Sequence, residues 1–535
     1  MDFLKVLLTI IDGMAFHLFE KFVYSLDEFR ELVEGGCYGP LESTYPSITP
    51  VALASMATGL YPKNNGVVST KVFVKGRKIS SPLTAYNSNT LIAEPIWNIL
   101  SKRGLKTLVT SSPQALPDKW KNQNTVLFDP YKSKLGKCSE GFLLKIGESE
   151  VLGGKWKVEK EGEEFKVTID TSEGKIEANG KQGEWVGPIE FPALCNEKNF
   201  KGLSFFHFRE NDVYVTPPSF LTKWGNRDDL LQEVWENVSK RTGMLLDGDY
   251  RSLSKGTITL EEYLKTAQLS YNFFFEYSNF LLRRVEWDFA ISYLPTVDNF
   301  QHLFYGIDDG KAFDYVYQAY KLAGKFVRSL IDLPDVMIVA SDHGIEKVKK
   351  RVYVNKILER INVLKVSNGR IDWRKTKAYY AGGGIIRVNL RDREEMGIVS
   401  REEFPKLINY IVRNLENYVD PVTGERIFPM IYEKQVPAGD REGDIELTVS
   451  SYYAMSSNVE KEKEIEDVVP YKNASGDHGY YRKDDLYGVV ILYGKGIARG
   501  KKVNAKIVDI VPTILRLFDV NYNKLDGKPI IEALR

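Results

Sequence analysis

The sequence has almost no net charge and no long apolar run, and each of these absences narrows the class of protein. Its 535 residues carry 73 Lys and Arg against 72 Asp and Glu, a net charge of +1. Proteins that bind nucleic acid through its phosphates usually have a strong basic excess, so no nucleic-acid platform is expected. No apolar stretch approaches the roughly 20 residues of a membrane helix, so no membrane segment is expected either.

Cysteine is also scarce, and the N-terminus lacks the features of a signal peptide. Cys37, Cys138 and Cys195 are widely spaced, a pattern that predicts neither a disulfide framework nor a CxxC metal site. The opening MDFLKVLLTIIDGM has no basic segment and no small-residue cleavage site, so we interpret it as a buried strand. Together these features predict a cytoplasmic protein.

Length and apolar patterning predict a large α/β protein. A chain of this length exceeds one small core, so two domains, or one domain with a sizeable insertion, are expected. Short apolar runs without polar alternation are typical of parallel strands that are covered on both faces. Such runs lie at 5–11, 106–113, 288–295, 335–341 and 487–494. Helix-like segments separate several of them, which indicates an α/β fold.

A different pattern at 136–222 predicts an inserted module. Apolar and polar residues alternate in KWKVEKEGEEFKVTIDT and in LSFFHFRENDVYVTP, which is typical of half-buried antiparallel strands. We therefore divide the chain into three parts. These are the first part of the core at 1–135, a β-rich cap at 136–222, and a helical connection with the second part of the core at 223–535.

Reactive side chains follow the apolar runs, and ligands of open α/β sheets bind beyond the carboxyl ends of the strands. Asp12 directly follows the first run and is either a ligand or the N-cap of the next helix. Thr49 precedes Pro50, which is favoured at the first helical position, so Thr49 is expected to be an N-cap. A hydroxyl at a helix N-terminus is well placed to attack phosphate, although simple capping is the alternative.

Three further candidate groups contain histidine, of which the chain has only 5. Asp298 and His302 are four residues apart, so on a helix they share one face and form either a metal-binding pair or a surface ion pair. The tripeptide DHG occurs twice, around His343 and around His478. A carboxylate and a glycine turn beside each imidazole indicate a metal ligand, because a structural histidine needs no such setting.

Taken together, these residues predict a site with two metal ions. Three carboxylates, three imidazoles and one hydroxyl form a mixed set of nitrogen and oxygen ligands. Two divalent ions a few ångströms apart can hold a phosphoryl group between an attacking and a leaving oxygen. Zinc is the expected metal because three imidazoles are present, and manganese is the alternative.

The order of these motifs resembles that of the alkaline phosphatase superfamily, in particular its type I phosphodiesterase/nucleotide pyrophosphatase branch. The stretches that carry the resemblance are IDGM, GPLESTYPSITPVALASMATGLYPKNNGV, DNFQH, SDHG, DPVTGE, SGDHG and IVDIVPTIL. They lie at both ends of the chain, at 1–130 and 285–535. Within the superfamily, the chain looks most like microbial proteins described as predicted phosphohydrolases or phosphomutases.

The resemblance implies a fold and a set of metal ligands. The fold would be a three-layer α/β sandwich with a central, mostly parallel sheet and the inserted β-rich cap. The ligands implied by the resemblance form two sets: Asp298, His302 and His478 for one metal, and Asp12, Asp342, His343 and Thr49 for the other.

The resemblance also implies that Thr49 is the nucleophile of two successive displacements. Its attack on phosphorus would expel an alcohol or nucleotide and leave a phosphothreonine, which water would then hydrolyse. The backbone N–H groups of Val51 and Ala52 would be free at the helix N-terminus to receive phosphoryl oxygens. Arg482, in DHGYYRKDD, is a further candidate for contact with a substrate phosphate.

Two positions depart from the nucleotide pyrophosphatases. Those enzymes have an asparagine three residues after the threonine, where this chain has Ala52, and often a histidine where it has Asn65.

The expected function is a metal-dependent phosphohydrolase, with a phosphodiesterase as the first choice and a small phosphate ester as substrate. A phosphomutase or phosphoryl transferase is an alternative, because the same phosphothreonine would serve it. A catalytically silent metal-binding protein is the alternative outside enzymes.

Overall fold

The computed structural model describes residues 4–171 and 174–535 and shows a mixed α/β architecture built on a central sheet. The strands of this sheet, numbered β1 to β9 in chain order, are Val6–Ile11, Cys37–Glu42, Thr107–Val109, Thr125–Leu127, Phe289–Leu294, Val336–Ala340, Tyr487–Gly494, Lys501–Lys502 and Ala505–Lys506. Across the sheet the order is β8, β2, β7, β6, β1, β5, β3 and β4, and β9 also pairs with β2. Every residue of β1 is buried, so both faces of the sheet are covered.

The predicted, mostly parallel sheet is confirmed, with one strand reversed. β1 pairs in parallel with β5 and β6, β5 with β3, and β3 with β4. β7 was expected to be parallel, but it runs antiparallel to both of its neighbours, β6 and β2. An apolar run has the same pattern in either direction, so the sequence does not reveal this reversal. Because β7 is reversed, it begins at the edge where β1, β5 and β6 end.

Two groups of helices pack around the sheet. The first consists of Gly310–Leu330 with its neighbours Asp27–Gly35 and Leu260–Arg284, and the second of Thr49–Thr58 with its neighbours Ile96–Ser101 and Ile510–Leu517. Other helices span Phe16–Phe22, Pro62–Asn65, Asp228–Val234, Lys240–Thr242, Tyr250–Lys255, Thr296–Phe304, Val354–Arg360 and Phe404–Glu416. Among the described residues, no helix combines the length and the apolar character that a membrane span requires.

The insert folds as two antiparallel sheets with a hydrophobic core of their own. The strands of the first sheet, in order across it, are Gly174–Lys181, Glu164–Thr171, Gly154–Glu161 and Gly147–Val151. The second sheet contains Trp185–Cys195, Lys198–Phe208, Asp212–Val215 and Phe142–Lys145, with Ser219–Phe220 beside Lys198–Phe208. Trp156, Val167 and Phe206 are among the buried residues of this core. The alternating pattern thus corresponds to antiparallel strands, while the boundaries 136 and 222 stay a prediction.

A disulfide joins Cys138 to Cys195 inside the insert, so the expectation that the cysteines form no disulfide is wrong. Cys138 lies in the short 3₁₀ turn Gly136–Ser139, and Cys195 ends a strand 57 residues later. The antiparallel sheets fold the chain back on itself, which the spacing alone does not reveal. Disulfides persist mainly in oxidising compartments, so the cysteines do not support the cytoplasmic location, which stays a prediction.

A second hydrophobic cluster lies beside the central core and includes Val51 of the Thr49–Thr58 helix and Tyr480 after the second DHG turn. One of its sheets contains Glu346–Tyr353, Tyr452–Ser456, Ile465–Asp467 and Gly476–Asp477, and another contains Ala378–Gly382, Ile385–Val388, Ile431–Glu433 and Ile445–Leu447. Two short pairs are Lys71–Val72 with Leu83–Thr84 and Val366–Ser367 with Arg370–Ile371. The part of the protein around this second cluster therefore lies beside Thr49 and the second DHG turn, where it forms one side of the candidate site.

Candidate metal centre and active site

Asp12 and Asp298 are brought together by a glycine at the end of β1. Gly13 has a φ of +67°, and a Cβ at this position would lie 2.8 Å from the Cβ of Asp298. The backbone N–H of Asp298 donates to the carbonyl oxygen of Asp12 at 3.1 Å. The hydroxyl of Tyr293, near the end of β5, donates to one carboxylate oxygen of Asp12. Glycine is required both for the left-handed backbone and for this close approach.

His302 lies one helical turn after Asp298, as their spacing predicts. Both belong to the Thr296–Phe304 helix, and Nε2 of His302 is 3.3 Å from Oδ2 of Asp298. The other ring nitrogen, Nδ1, is 2.8 Å from the carbonyl oxygen of Gly476. This contact ties the helix to the residues just before the second DHG turn.

The three candidate histidines share one orientation. Nδ1 of His343 is 2.9 Å from the carbonyl oxygen of Gly344, and Nδ1 of His478 is 2.8 Å from that of Ser47. A carbonyl oxygen only accepts hydrogen bonds, so Nδ1 carries the hydrogen, and Nε2 of the neutral ring presents a lone pair. In all three rings Nε2 faces the carboxylates of the site. Metal-binding histidines are usually fixed in this way.

Several carboxylate oxygens at the site have no hydrogen-bond partner. Among the described residues, the buried atoms without a partner include Oδ1 of Asp12, Oδ1 of Asp298 and Oδ2 of Asp342. A buried carboxylate oxygen without a partner is costly unless a cation binds it. The carboxylates and the oriented imidazoles therefore fit divalent metal ions.

The possible ligand atoms fall into two groups. Atoms of Asp298, His302 and His478 lie within 4.8 Å of one another, and so do atoms of Asp12, Asp298 and His343. The first group is the set expected for one metal. The second contains Asp298 where the expected set has Asp342, whose Oδ2 is 3.3 Å from Nε2 of His343. Asp298 therefore belongs to both groups.

Burial and neighbouring charges shift the pKa values of these groups. Burial opposes the charged form of His343, but Asp342 and Asp12 outweigh it and raise the pKa of His343 to about 10. Burial and the charge of Asp12 raise the pKa of Asp342 well above its ordinary range. Burial and the charge of His343 hold the pKa of His478 well below its ordinary range. Asp12 and Asp342 thus favour positive charge on His343, the ring whose Nε2 lies 3.3 Å from an oxygen of each.

Thr49 lies at the same edge of the sheet, at the start of its helix. Its Oγ1 is 3.2 Å from Nε2 of His343. The helix begins one residue earlier than predicted, with Ile48 as the N-cap and Thr49 as the first helical residue. The Ile48 carbonyl oxygen accepts the N–H groups of Val51 and Ala52 at 3.0 and 2.9 Å. The expectation that these two N–H groups are free is therefore wrong.

Thr49 lines a cavity of about 400 Å³ together with Asp12 and Asp298. Its wall also contains residues that the sequence did not single out, among them Tyr86, Asp129, Lys132 and Asp247. Asp129 follows β4 by two residues, so the strand-end rule could have found it. Lys132 lies in the 3₁₀ helix Pro130–Ser133 just after Asp129, and Asp247 lies in an irregular segment, so neither directly follows an apolar run.

A second cavity, of about 640 Å³, adjoins the first and reaches the insert. Asp247 and Asn299 lie in the walls of both cavities, and His302 lies in the wall of the second. Ser139 and Pro218, both within the insert, contribute to the same wall. The insert thus contributes to the space beside the candidate ligands.

Asp485 is a further residue that the sequence did not single out, and it connects three segments of the site. Its buried Oδ2 accepts hydrogen bonds from Oγ of Ser47 at 2.8 Å and from the N–H of Gly479 at 3.0 Å. Its backbone carbonyl oxygen accepts the N–H of Gly344 at 2.9 Å. One residue therefore contacts the segment before Thr49 and both DHG turns.

Arg482 does not reach the cavity that Thr49 lines. It lies in the wall of a different cavity, of about 450 Å³. Its guanidinium stacks on the ring of Tyr45 at 4.9 Å and donates to the hydroxyl of Tyr432 at 2.6 Å. The side chain of Asn65 is buried and donates to Ser55 Oγ at 3.0 Å, so it has a structural contact.

Comparisons with known proteins agree with the family resemblance of the motifs. A profile described as type I phosphodiesterase / nucleotide pyrophosphatase matches residues 6–481, whereas a search of curated proteins finds no match. Among solved structures, murine ectonucleotide pyrophosphatase / phosphodiesterase 5 covers 98% of this chain with 97% of its own, at 12% sequence identity and a TM-score of 0.50. At this identity the likeness supports the fold alone. Because the profile covers most of the chain, the protein belongs to the type I phosphodiesterase/nucleotide pyrophosphatase family of phosphoric ester hydrolases.

Proposed function

We propose that the protein is a two-metal phosphodiesterase in which Thr49 is the nucleophile. The observation that carries the proposal is the position of Thr49 Oγ1, 3.2 Å from Nε2 of His343 and in the wall of a cavity that Asp12 and Asp298 also line. Oriented imidazoles lie close to carboxylate oxygens that have no hydrogen-bond partner. Such a site suits phosphoryl transfer, because cations held there can balance the charge of a phosphate ester.

The proposed ligands are Asp298, His302 and His478 for one metal, and Asp12, Asp342, His343 and the Thr49 hydroxyl for the other. Bound divalent ions would neutralise phosphoryl charge and lower the pKa of a hydroxyl or a water. Zinc is the first choice because three imidazoles are available, and manganese is the alternative.

In the proposed first step, Oγ1 of Thr49 forms a bond to phosphorus as the bond to the leaving alkoxide breaks, and the hydroxyl proton ends on that oxygen, which leaves as the alcohol. Water then cleaves the phosphothreonine and restores the hydroxyl. The N–H of Thr49 itself makes no hydrogen bond to any described residue, whereas those of Val51 and Ala52 are used. This N–H lies at a helix N-terminus and can donate to a phosphoryl oxygen.

The second cavity supports a role for the insert in substrate specificity. It also favours a second candidate function. The part of a substrate that lies beyond the reacting phosphate can occupy this space, so residues 136–222 would act as a cap that influences specificity. An acceptor alcohol could occupy the same space, which favours a phosphomutase or phosphoryl transferase as the second candidate. A silent metal-binding protein would not need Thr49 beside His343.

The test compares hydrolysis of bis-p-nitrophenyl phosphate and p-nitrophenyl phosphate by protein loaded with zinc or manganese. We expect a preference for the diester and its loss in Thr49→Ala. Thr58→Ala is the matched control, because Thr58 ends the same helix and donates to the carbonyl of Ala54. Unchanged turnover in Thr49→Ala would exclude the proposed nucleophile, and turnover that requires an added alcohol would identify a transferase.

A further inference from the structure

The cavity that Thr49 lines contains a single basic side chain among the described residues of its wall, that of Lys132. The other charged residues of the wall are Asp12, Asp129, Asp247 and Asp298. Asp12 and Asp298 belong to the proposed metal ligands, and Asp247 already has a lysine partner in Lys134 at 2.5 Å. Lys132 is therefore the one Lys or Arg side chain that the described part of the chain supplies to this wall.

Two contacts fix the position of the Lys132 ammonium group. Its Nζ donates to the carbonyl oxygen of Tyr86 at 2.6 Å and lies 3.5 Å from Oδ2 of Asp129. Asp129 is buried, and the Lys132 side chain is 29% exposed, so the ammonium is held near the wall without being sealed off. An ammonium has three hydrogens, and two contacts leave at least one for a ligand.

Apart from Lys132, the donors in the described wall of the cavity are neutral, among them the hydroxyls of Tyr86 and Ser111. The position three residues after Thr49 is Ala52, which has no polar side chain, and its N–H is bonded to Ile48. We propose that Lys132 binds a non-bridging oxygen of the phosphoryl group at Thr49 and contributes more to the turnover of a monoester than to that of a diester. This inference rests on the proposed function, because it needs the reacting phosphate to lie in this cavity.

The role of Lys132 can be tested by comparing two phosphate esters of different charge. A phosphate monoester near neutral pH carries about two negative charges and a diester carries one, so the attraction to a fixed ammonium differs between them. Hydrogen bonds to charged groups change rates by about 10-fold to 100-fold. If Lys132 only anchored the loop near Tyr86, its replacement would lower kcat/KM for both esters by the same factor.

The experiment measures kcat/KM for p-nitrophenyl phosphate and bis-p-nitrophenyl phosphate in Lys132→Gln and Lys132→Arg. We expect Lys132→Gln to lower the monoester value by about 30-fold and the diester value by about 5-fold, because the monoester has the larger charge. Lys132→Arg should recover most of the loss. An equal loss for both esters, or no loss for either, would overturn the proposal.

Lys121→Gln is the matched control. Lys121 pairs with Asp118 three residues earlier at 2.6 Å, as Lys132 pairs with Asp129, but it is more exposed and lies outside the wall of the cavity. The control should leave both esters unchanged. A loss in Lys121→Gln that matches the loss in Lys132→Gln would assign the effect to general surface charge.

Binding of inorganic phosphate separates this inference from the proposed function. If the wild type hydrolyses neither ester, the phosphodiesterase proposal fails, and calorimetry with zinc-loaded protein still tests Lys132. We expect Lys132→Gln to bind phosphate about 10-fold more weakly and Lys132→Arg to bind it nearly as the wild type does. Equal affinity in the wild type and Lys132→Gln would overturn the role of Lys132 whatever the activity.

Discussion

The rings of His343 and His478, the histidines of the two DHG turns, stack with centroids 3.5 Å apart and planes inclined by 12°. Two tripeptides more than a hundred residues apart in the chain thus meet face to face. The first follows β6, and the second precedes the reversed strand β7, so both lie at one edge of the sheet. The repeated motif therefore supplies one imidazole to each of the two groups of possible ligands.

Asp485 provides the first prediction, because removal of its side chain should disturb the second DHG turn and the segment before Thr49. Asp485→Ala would leave the donors of Ser47, Gly479 and Lys483 without their acceptor. Each buried donor left unpaired costs about 1–3 kcal/mol, so we expect a loss of at least about 3 kcal/mol in the free energy of unfolding. Urea titration measures this change.

Asp485→Asn is the milder variant, since it keeps the shape and one acceptor oxygen. We expect it to lose less stability and to lower kcat more than KM, because the second DHG turn carries the proposed ligand His478 rather than a substrate contact. Asp526→Asn is the control, since exposed Asp526 accepts bonds from Tyr61 and Asn64 away from the site. A kcat of Asp485→Asn equal to the wild type would restrict Asp485 to a structural role.

Gly13 provides the second prediction. Gly13→Ala would place a Cβ 2.8 Å from Asp298 and force alanine into a left-handed conformation. The conformation alone costs about 1–3 kcal/mol, and the collision adds to it, so we expect both a loss of stability and weaker metal binding. Thermal unfolding and metal titration check these two effects.

The variant Gly76→Ala separates the cost of the left-handed conformation from the effect of the collision. Gly76 also has a positive φ, of +82°, but nothing lies within 4 Å of a Cβ added there. This control should show the backbone cost alone, with unchanged metal binding. If Gly13→Ala behaved like Gly76→Ala, metal binding would not depend on the close approach of Gly13 to Asp298.

Much of the site could be predicted from sequence because its residues follow buried strands. Asp12 and Asp342 come directly after apolar runs, and the spacing of Asp298 and His302 fixes their common helical face. The reversal of β7 and the pairing of Cys138 with Cys195 could not be predicted, since both depend on contacts between distant segments. The same limit applies to side chains such as Asp247, which lies in an irregular segment.

Asp129 provides the third prediction, a pH dependence of stability in the metal-free protein. Burial raises the pKa of Asp129 from 3.8 to about 6, although Lys132 opposes the shift. Between these values the folded protein holds a proton that the unfolded chain has released, so stability falls as pH rises from about 4 to about 6. The rise in pKa corresponds to about 3 kcal/mol.

Asp129→Asn should remove this contribution. We expect the variant to be more stable than the wild type at pH 8 by up to about 3 kcal/mol, with the difference vanishing near pH 4. Denaturant titrations of both proteins at several pH values measure the difference. A difference that is constant across this range would exclude Asp129 as the titrating group.

The last prediction concerns the metal ligands, and it is tested by the number of metal ions bound per chain. We expect two zinc ions per wild-type chain and one in His302→Ala, because His302 belongs to only one group of ligand atoms. Asp298→Asn should weaken most the ion that His302 and His478 hold, and it should also weaken the second ion, because Asp298 atoms lie near both groups of ligand atoms. His207→Ala is the control, because His207 stacks on Trp185 in the insert at 4.5 Å. Elemental analysis after dialysis gives the counts. Two ions retained in His302→Ala would remove that histidine from the ligands, and a single ion in the wild type would contradict the two-metal site.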